Sequence, residues 1–107
     1  MALPEASSQA DQFGLPGHAI ASLKTLFENY PEIEQVTLYG SRAKGNYRHN
    51  SDIDLMLTAP TLSWHRFNNL ELEIDDLLLP WKVDLALKHH VDNQDLLAHV
   101  ERVGVVF

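Results

Sequence analysis

The amino-acid sequence predicts an α/β (α+β) fold in which a small β-sheet is flanked by helices. Three observations support this prediction. Segments with apolar residues at helical spacing alternate along the chain with short runs in which every second residue is apolar. Pro or Gly follows most of these segments and separates one from the next. A length of 107 residues suits one such domain with a single modest core.

The predicted elements follow one another without an internal repeat or a long linker. In chain order they are a helix over 18–30, strands over 35–39 and 52–58, a helix over 65–79, a strand over 81–87 and a last helix from a cap at Asp92 to Gly104. Residues 1–17 contain Pro and Gly but little apolar periodicity, so they are predicted to be an irregular N-terminal segment. Residues 18–107 are predicted to form the one folded domain.

The composition argues against several classes of protein. The chain has no cysteine, which rules out disulfides and thiolate metal sites and suits a reducing cytoplasm, where we expect the protein to reside. No apolar run approaches the roughly 20 residues that cross a bilayer, so no membrane association is expected. The net charge of −7 makes a surface that repels nucleic-acid phosphates, so direct binding of nucleic acid is not expected either.

Three aspartates on two predicted strands are the candidate catalytic and metal-binding residues. Asp52 and Asp54 lie two residues apart, so their side chains point to the same face of a strand, with their Cα atoms roughly 6.6 Å apart. Asp84 occupies the corresponding polar face of the next strand, although the pattern alone does not set the register that would bring it to the other two. Crowded carboxylates repel one another, and a hard cation such as Mg²⁺ relieves that repulsion.

A candidate phosphate-binding turn directly follows the first predicted strand. Gly40 lets the backbone approach a phosphate closely, and Ser41 adds a hydroxyl donor. Arg42 adds a permanent planar positive charge, in a stretch over 39–50 that contains four basic residues and no acid. Nucleotidyl transfer requires this combination, because metal ions and cationic groups position the phosphates and neutralise their charge.

Simpler explanations exist for each feature taken alone. An Asp-x-Asp on a strand usually consists of solvent-exposed side chains without a function, and a Gly-Ser turn usually only reverses the chain. His89 and His90 suggest metal ligands, but an exposed strand end explains them better because further zinc ligands cannot be placed. His49 is a minor candidate for a phosphate contact. A base-stacking role for the aromatic residues is less common than packing in the core or against a partner; these residues are Trp64, Phe67 and Trp81.

Taken together, the motifs resemble a known family. The segments GSRAKG, SDIDL and VDLAL, which contain Gly40-Ser41, Asp52-x-Asp54 and Asp84, are similar to the hallmark of the minimal nucleotidyltransferase family within the DNA polymerase beta superfamily. The resemblance extends from about Ile20 to the C-terminus, and Ser51 and 103–105 also fit it. It implies a polymerase beta-like nucleotidyltransferase fold with a small mixed sheet for residues 18–107.

The resemblance also implies roles for individual residues. Asp52 and Asp54 would bind two Mg²⁺ ions, and Asp84 would help to bind one of them and act as a general base. Gly40 and Ser41 would hold the triphosphate of ATP. Arg42 and Ser51 complete the nucleotide-binding set that the resemblance implies.

Small members of this family resemble antitoxins that pair with a HEPN-domain toxin. By resemblance, this chain would transfer AMP from ATP to a tyrosine of such a partner, in a type VII-like toxin–antitoxin pair. Two alternatives stay open: an antitoxin that neutralises its partner by stoichiometric binding alone, and a nucleotidyltransferase acting on a small molecule such as an aminoglycoside. Whether the chain forms a homo- or hetero-oligomer is also open.

Overall fold

The computed structural model describes residues 10–107, which form four helices, four strands and a 3₁₀ turn. In chain order these are α1 (Gly17–Glu28), β1 (Gln35–Tyr39), α2 (Ser41–Lys44), β2 (Ile53–Thr58), α3 (Trp64–Asp75), β3 (Val83–Leu87), the 3₁₀ turn (Lys88–His90), α4 (Gln94–Val103) and β4 (Val105–Val106). Within this part of the chain, no helix has the length and apolar character needed to span a membrane.

The strands form one mixed sheet with the order β3-β2-β1-β4. β1 pairs with β2 and with β4 in antiparallel fashion, whereas β2 and β3 are parallel and are connected through α3. A parallel pair needs such a crossover, because its strands cannot be joined by a tight turn. The prediction of a small mixed sheet flanked by helices is confirmed.

The core lies on one face of the sheet. The apolar residues of the strands alternate with polar ones, so that one set of side chains points to α1 and α3. This set and its helical partners are nearly inaccessible; they are Leu38, Ile53, Leu55, Leu57, Leu87, Ile20, Leu23, Phe27, Phe67, Leu70 and Ile74. Leu15, in the segment before α1, is also buried in this core. Residues 1–9 of the predicted N-terminal segment lie outside the described residues.

The other face of the sheet carries polar side chains and is covered in part by α4. The His99 ring of α4 meets the Tyr39 ring of β1 edge to face, with 6.3 Å between the centroids. At the end of α4, a side chain on Gly104 would meet Thr37 of β1. None of the residues of α4 is fully buried. The sheet therefore has one face for stability and a second, more open face.

Several element boundaries differ from the predicted ones. β2 begins at Ile53 and β3 at Val83, so Asp52 and Trp81 precede their strands. The third helix ends at Asp75 rather than at Leu79, because the chain must turn back to reach β3. In that turn Leu78 adopts a φ of 55°, and Pro80 disfavours a helical conformation of the residue before it.

Two short elements escaped the sequence analysis. α2 spans four residues and β4 two, and both are too short to show a period. The cap of α4 is Asn93, one residue after the predicted Asp92. The Asn93 Oδ1 accepts a hydrogen bond of 3.1 Å from the Leu96 backbone N–H. Asn and Asp cap helices about equally well, so residue type alone does not decide between positions 92 and 93.

Arg42 is a buried cation that joins three separate segments of the chain. Its side chain is only 1% exposed. Nε and Nη2 donate to the Ser51 carbonyl at 3.1 and 2.8 Å, and Nη1 donates to the Phe13 carbonyl at 2.8 Å. Nη2 also donates to the His49 carbonyl at 3.3 Å. The guanidinium therefore ties the segment before α1 to the loop that leads into β2.

Two aromatic rings enclose the same guanidinium. The Tyr47 and Trp81 rings lie 5.3 and 5.8 Å from the Arg42 Cζ atom, within the range of cation–π attraction. The Trp81 indole N–H also donates to the His49 carbonyl at 3.0 Å. Because Trp81 precedes β3 and His49 precedes β2, these contacts hold the starts of both strands together.

We predict that Arg42→Lys lowers the free energy of unfolding by about 2–4 kcal/mol, because a single ammonium nitrogen cannot take the place of Nε, Nη1 and Nη2 together and leaves buried acceptors unpaired. Denaturant unfolding measures the change. The control is Arg48→Lys, which alters an exposed arginine of the same loop and should shift the midpoint very little. Equal effects of the two variants would show that the buried contacts of Arg42 do not stabilise the fold.

Candidate active site

Three side chains stand in one row across the open face of the sheet. The register pairs Tyr39 of β1 with Asp54 of β2, and Asp54 with Asp84 of β3. Directly paired residues point to the same face of a sheet, with Cβ atoms roughly 5 Å apart. The register therefore brings Asp54 and Asp84 side by side, which the sequence pattern could not establish.

The surroundings of the Asp54 carboxyl group disfavour its charged form. Burial raises the pKa of Asp54 first, followed by the charges of Asp84 and Asp52 and a hydrogen bond with Asp84. Lys82 opposes this rise only weakly. Its Nζ lies 3.5 Å from Oδ1 of Asp84, but the lysine side chain is 69% exposed, so solvent screens the pair. The row thus concentrates negative charge where the protein supplies little positive charge.

Asp52 stands at the margin of this pair. It is exposed and lies one residue before β2, yet it is close enough to raise the pKa of Asp54. Across residues 10–107, no three acidic or histidine side chains are already drawn together as a closed set of metal ligands. Asp54 and Asp84 therefore form a two-carboxylate platform, and Asp52 is the nearest further carboxylate.

This donor set fits Mg²⁺. The ion prefers hard carboxylate oxygens, and it normally takes only one or two of them while keeping water and substrate phosphates as its other ligands. A partly buried carboxylate, Asp54, with two further carboxylates nearby is electrostatically unfavourable without a cation, which favours binding of one.

The turn after β1 packs directly against this platform. Gly40 has a φ of 74° and a ψ of −156°, a conformation that is essentially restricted to glycine. A Cβ atom at this position would lie 2.3 Å from Oδ2 of Asp54. The glycine backbone therefore touches the carboxylate, and Ser41, half-buried, begins α2 immediately afterwards. The two motifs that are separated in sequence form one site.

The structure shows the surroundings of Arg42 and Ser51, the two further residues of the predicted nucleotide-binding set. The Arg42 guanidinium is buried and donates to backbone carbonyls, so the geometry gives it a structural role, and a phosphate contact of this residue stays a prediction. The sequence shows an exposed-looking basic stretch and gives no sign of the three carbonyls that enclose Arg42. The Ser51 hydroxyl accepts a hydrogen bond of 2.7 Å from the Arg48 backbone N–H and so shapes the loop before Asp52.

The sequence analysis did not single out Tyr39, which completes the row. Its ring is half-buried between Asp54 and His99. Burial, and then the negative charges of Asp54 and Asp84, raise the pKa of the Tyr39 hydroxyl. The available signal was the two-residue period of β1, which places Tyr39 opposite the buried Leu38 and therefore on the polar face.

The other candidates lie away from the row. The Trp64 ring stacks on His90 at 4.7 Å, and the His90 ring neighbours that of His89 at 4.2 Å. These histidines follow the end of β3, whereas Asp84 stands near its beginning. Phe67 belongs to the core. His49 is bound through its carbonyl oxygen to Arg42 and Trp81.

Comparison with known proteins places this geometry among nucleotide-transferring enzymes. The chain is 28% identical over 96 residues to the probable protein adenylyltransferase MntA of Haemophilus influenzae, a match that covers 89% of this chain and 83% of the relative.

Solved structures show the same fold. A crystal structure of a toxin–antitoxin complex with AMP-PNP matches with a TM-score of 0.63 and 28% identity, over 82% of this chain and 68% of that chain. The complex of a tri-AMPylated Shewanella oneidensis HEPN toxin with its MNT antitoxin matches with a TM-score of 0.57 and 20% identity, over 82% of this chain and 70% of that chain; at this identity the match shows the fold alone.

The family described as "Polymerase beta, Nucleotidyltransferase" matches residues 21–107. This range contains the Gly40-Ser41 turn, all three aspartates and the whole sheet. The match confirms the resemblance to this family. The chain therefore belongs to the polymerase beta nucleotidyltransferase family.

Proposed function

We propose that this protein is a Mg²⁺-dependent adenylyltransferase that transfers AMP from ATP to a tyrosine hydroxyl of a HEPN-domain toxin, and so acts as the antitoxin of a type VII-like pair. The observation that carries this proposal is the pairing of Asp54 with Asp84 on adjacent strands, with the backbone of Gly40 in contact with the Asp54 carboxylate. Acidic groups and a phosphate-binding turn are thereby combined in one open site.

Each residue of the site has a distinct role in this proposal. Asp52 and Asp54 would hold two Mg²⁺ ions, with Asp84 contributing to one of them. When bound, the cations supply neutralising charge for the triphosphate and for the displaced oxygen. Gly40 and Ser41 offer backbone and hydroxyl donors to the phosphates. Ser51 supports nucleotide binding by ordering the loop that precedes Asp52.

The reaction is a displacement at the α-phosphorus of ATP. The acceptor oxygen forms a bond to that phosphorus, the bond from the phosphorus to the bridging oxygen breaks, and pyrophosphate leaves with the electron pair. The acceptor proton passes to the Asp84 carboxylate. Asp84 suits this role by its position, because it is a half-buried carboxylate next to Asp54 on the open face of the sheet.

The relatives support the identity of the donor and the acceptor. MntA of H. influenzae is a probable protein adenylyltransferase, and the toxin–antitoxin complex with AMP-PNP contains an analogue of ATP. We extend both features to this chain, which makes ATP the donor and a toxin the acceptor. We also propose the cytoplasm as the location of the reaction, since ATP is available there.

The first test measures transfer directly. Incubation of the chain with its neighbouring HEPN-domain protein, Mg²⁺ and ATP labelled at the α-phosphate should yield labelled HEPN protein. Asp52→Asn together with Asp54→Asn should reduce the rate by about 1,000-fold or more, since charge stabilisation worth several kcal/mol is lost. Asp92→Asn, at an exposed aspartate outside the site, is the matched control.

Two results would decide for the alternatives. If the double Asn variant neutralises the toxin as well as the wild type at equal concentration, stoichiometric binding is the mechanism. If the chain leaves the HEPN protein unlabelled but modifies an aminoglycoside, the acceptor is a small molecule.

A second prediction concerns pH and stability without metal. Because the pKa of Asp54 is raised in the folded protein, its contribution to stability falls as the pH rises from the unfolded to the folded pKa. Asp54→Asn should therefore raise the melting temperature at neutral pH in the presence of chelator, and the gain should shrink in acid. Addition of Mg²⁺ should stabilise the wild type and leave the variant unchanged. A less stable variant at neutral pH would contradict the repulsion described for this pair.

A third prediction isolates the contact between Gly40 and Asp54. Gly40→Ala places a Cβ atom against the Asp54 carboxylate, and displacement of a catalytic group by about 1 Å costs on the order of 100-fold in rate. Gly45→Ala is the matched control, because Gly45 also has a positive φ, of 87°, but nothing lies within 4 Å of its added Cβ. Both variants place alanine at a positive φ, with the greater strain at Gly40, so an equal loss of transfer would show that the close approach is unimportant.

A further inference from the structure

β3 is an edge strand whose outer side is open among the described residues. It stands at the end of the order β3-β2-β1-β4, and no strand within 10–107 pairs with its other side. The Ile53 backbone N–H donates to the Lys82 carbonyl at 2.8 Å. Since alternate residues of a parallel strand bond to the same neighbour, the backbone groups of Asp84 face β2, and those of Val83 and Leu85 face outward.

A cleft of about 390 Å³ lies beside this free edge, between β3 and α3. Its floor is apolar and its rim is acidic: Ile74, Leu72, Val83 and Leu85 supply the apolar surface, and Glu71 and Asp75 the carboxylates. Leu72 is 62% exposed, which is unusual for a leucine on a packed helix. The cleft thus joins unpaired backbone groups, an exposed apolar surface and negative charge.

The cleft and the active site lie on opposite faces of the same strand, β3. Asp84 lies between Val83 and Leu85, so its side chain emerges on the opposite face of β3 from the cleft. An extended chain paired along the edge would have the same alternation. Its apolar side chains would enter the cleft, and the residue between them would reach the face of Asp84.

We propose that the free edge of β3 and its cleft dock an extended, basic segment of the acceptor protein, which presents its acceptor hydroxyl to Asp84. This inference rests on the proposed function and specifies how the acceptor is brought to the site. Strand addition satisfies the outward backbone groups, while alternate side chains provide specificity. The acidic rim and the net charge of −7 are complementary to a segment that carries Lys or Arg beside its apolar residues.

The test is a binding measurement without ATP or Mg²⁺, so that it does not depend on catalysis. The test variant is Leu72→Lys, which removes the exposed apolar contact and puts a positive charge in the cleft. Lysine is a good helix former, and the negative charge of Asp76, four residues further on, attracts its ammonium group. We therefore expect the fold to be retained. Leu78→Lys is the matched control, because Leu78 is 86% exposed and does not line the cleft.

We expect Leu72→Lys to weaken binding of the HEPN-domain protein by about tenfold or more, as for a residue central to an interface. Leu72→Glu also removes the apolar contact, but it leaves the cleft negatively charged, so it should weaken binding less. Leu78→Lys should bind as the wild type does. Equal affinities of Leu72→Lys and wild type would overturn the proposal, as would a wild-type dimer that Leu72→Lys dissociates, because a second copy would then occupy the cleft.

The same measurements separate this inference from the proposed function. If the wild type binds the partner through the cleft but transfers no AMP, the docking surface stands and the proposed reaction fails. If the wild type transfers AMP and Leu72→Lys binds and transfers equally well, the reaction stands and the docking surface fails.

Discussion

The structure of this site depends on two acidic side chains that the register of β2 and β3 forces to be neighbours. Asp54 and Asp84 share one rung of a parallel pair, so neither can move away without breaking the sheet. Burial and the charge of Asp84 both disfavour the charged form of Asp54. In the proposed function, a bound cation would relieve this repulsion. The proposed affinity of the site for a cation would therefore begin with an unfavourable contact inside the protein.

The arginine of the glycine motif does not contact this pair of carboxylates. Arg42 lies in the same motif as Gly40, but it is buried among backbone carbonyls and two aromatic rings. It stabilises the starts of both catalytic strands through Ser51, His49 and Trp81 and leaves the carboxylates without a strong internal partner. A guanidinium paired with Asp54 would have neutralised the site and competed with a metal. Rigid support and open negative charge are thus provided by different residues: Arg42 supplies the first, and Asp54 and Asp84 supply the second.

The two faces of the sheet divide these tasks in a chain of 107 residues. One face packs against α1 and α3 and contains nearly all of the buried aliphatic residues. The other face is covered only partly by α4, which has no fully buried residue, and it holds the row of Tyr39, Asp54 and Asp84. With only one well-packed face, a domain of this size keeps polar groups accessible at a modest cost in stability. The cleft beside the free edge of β3 lies on the α3 side, so the proposed docking segment would connect the two faces along this edge.

The sequence by itself determined the order of the main elements, the face on which the carboxylates lie and the family to which the chain belongs. These properties are local: a two-residue period places Asp54 opposite Ile53, and Gly40-Ser41 ends a strand wherever that strand is placed. Only the tertiary structure decided the register that joins Asp54 to Asp84, the burial of Arg42 and the place of Tyr39 in the row. Those features depend on contacts between distant residues, such as Arg42 with Phe13, 29 positions apart, and Trp81 with His49, 32 positions apart. A sequence pattern shows which side chains can share a face of a strand. The contacts that decide which strands pair, and in which register, form only when distant segments pack together in the folded chain.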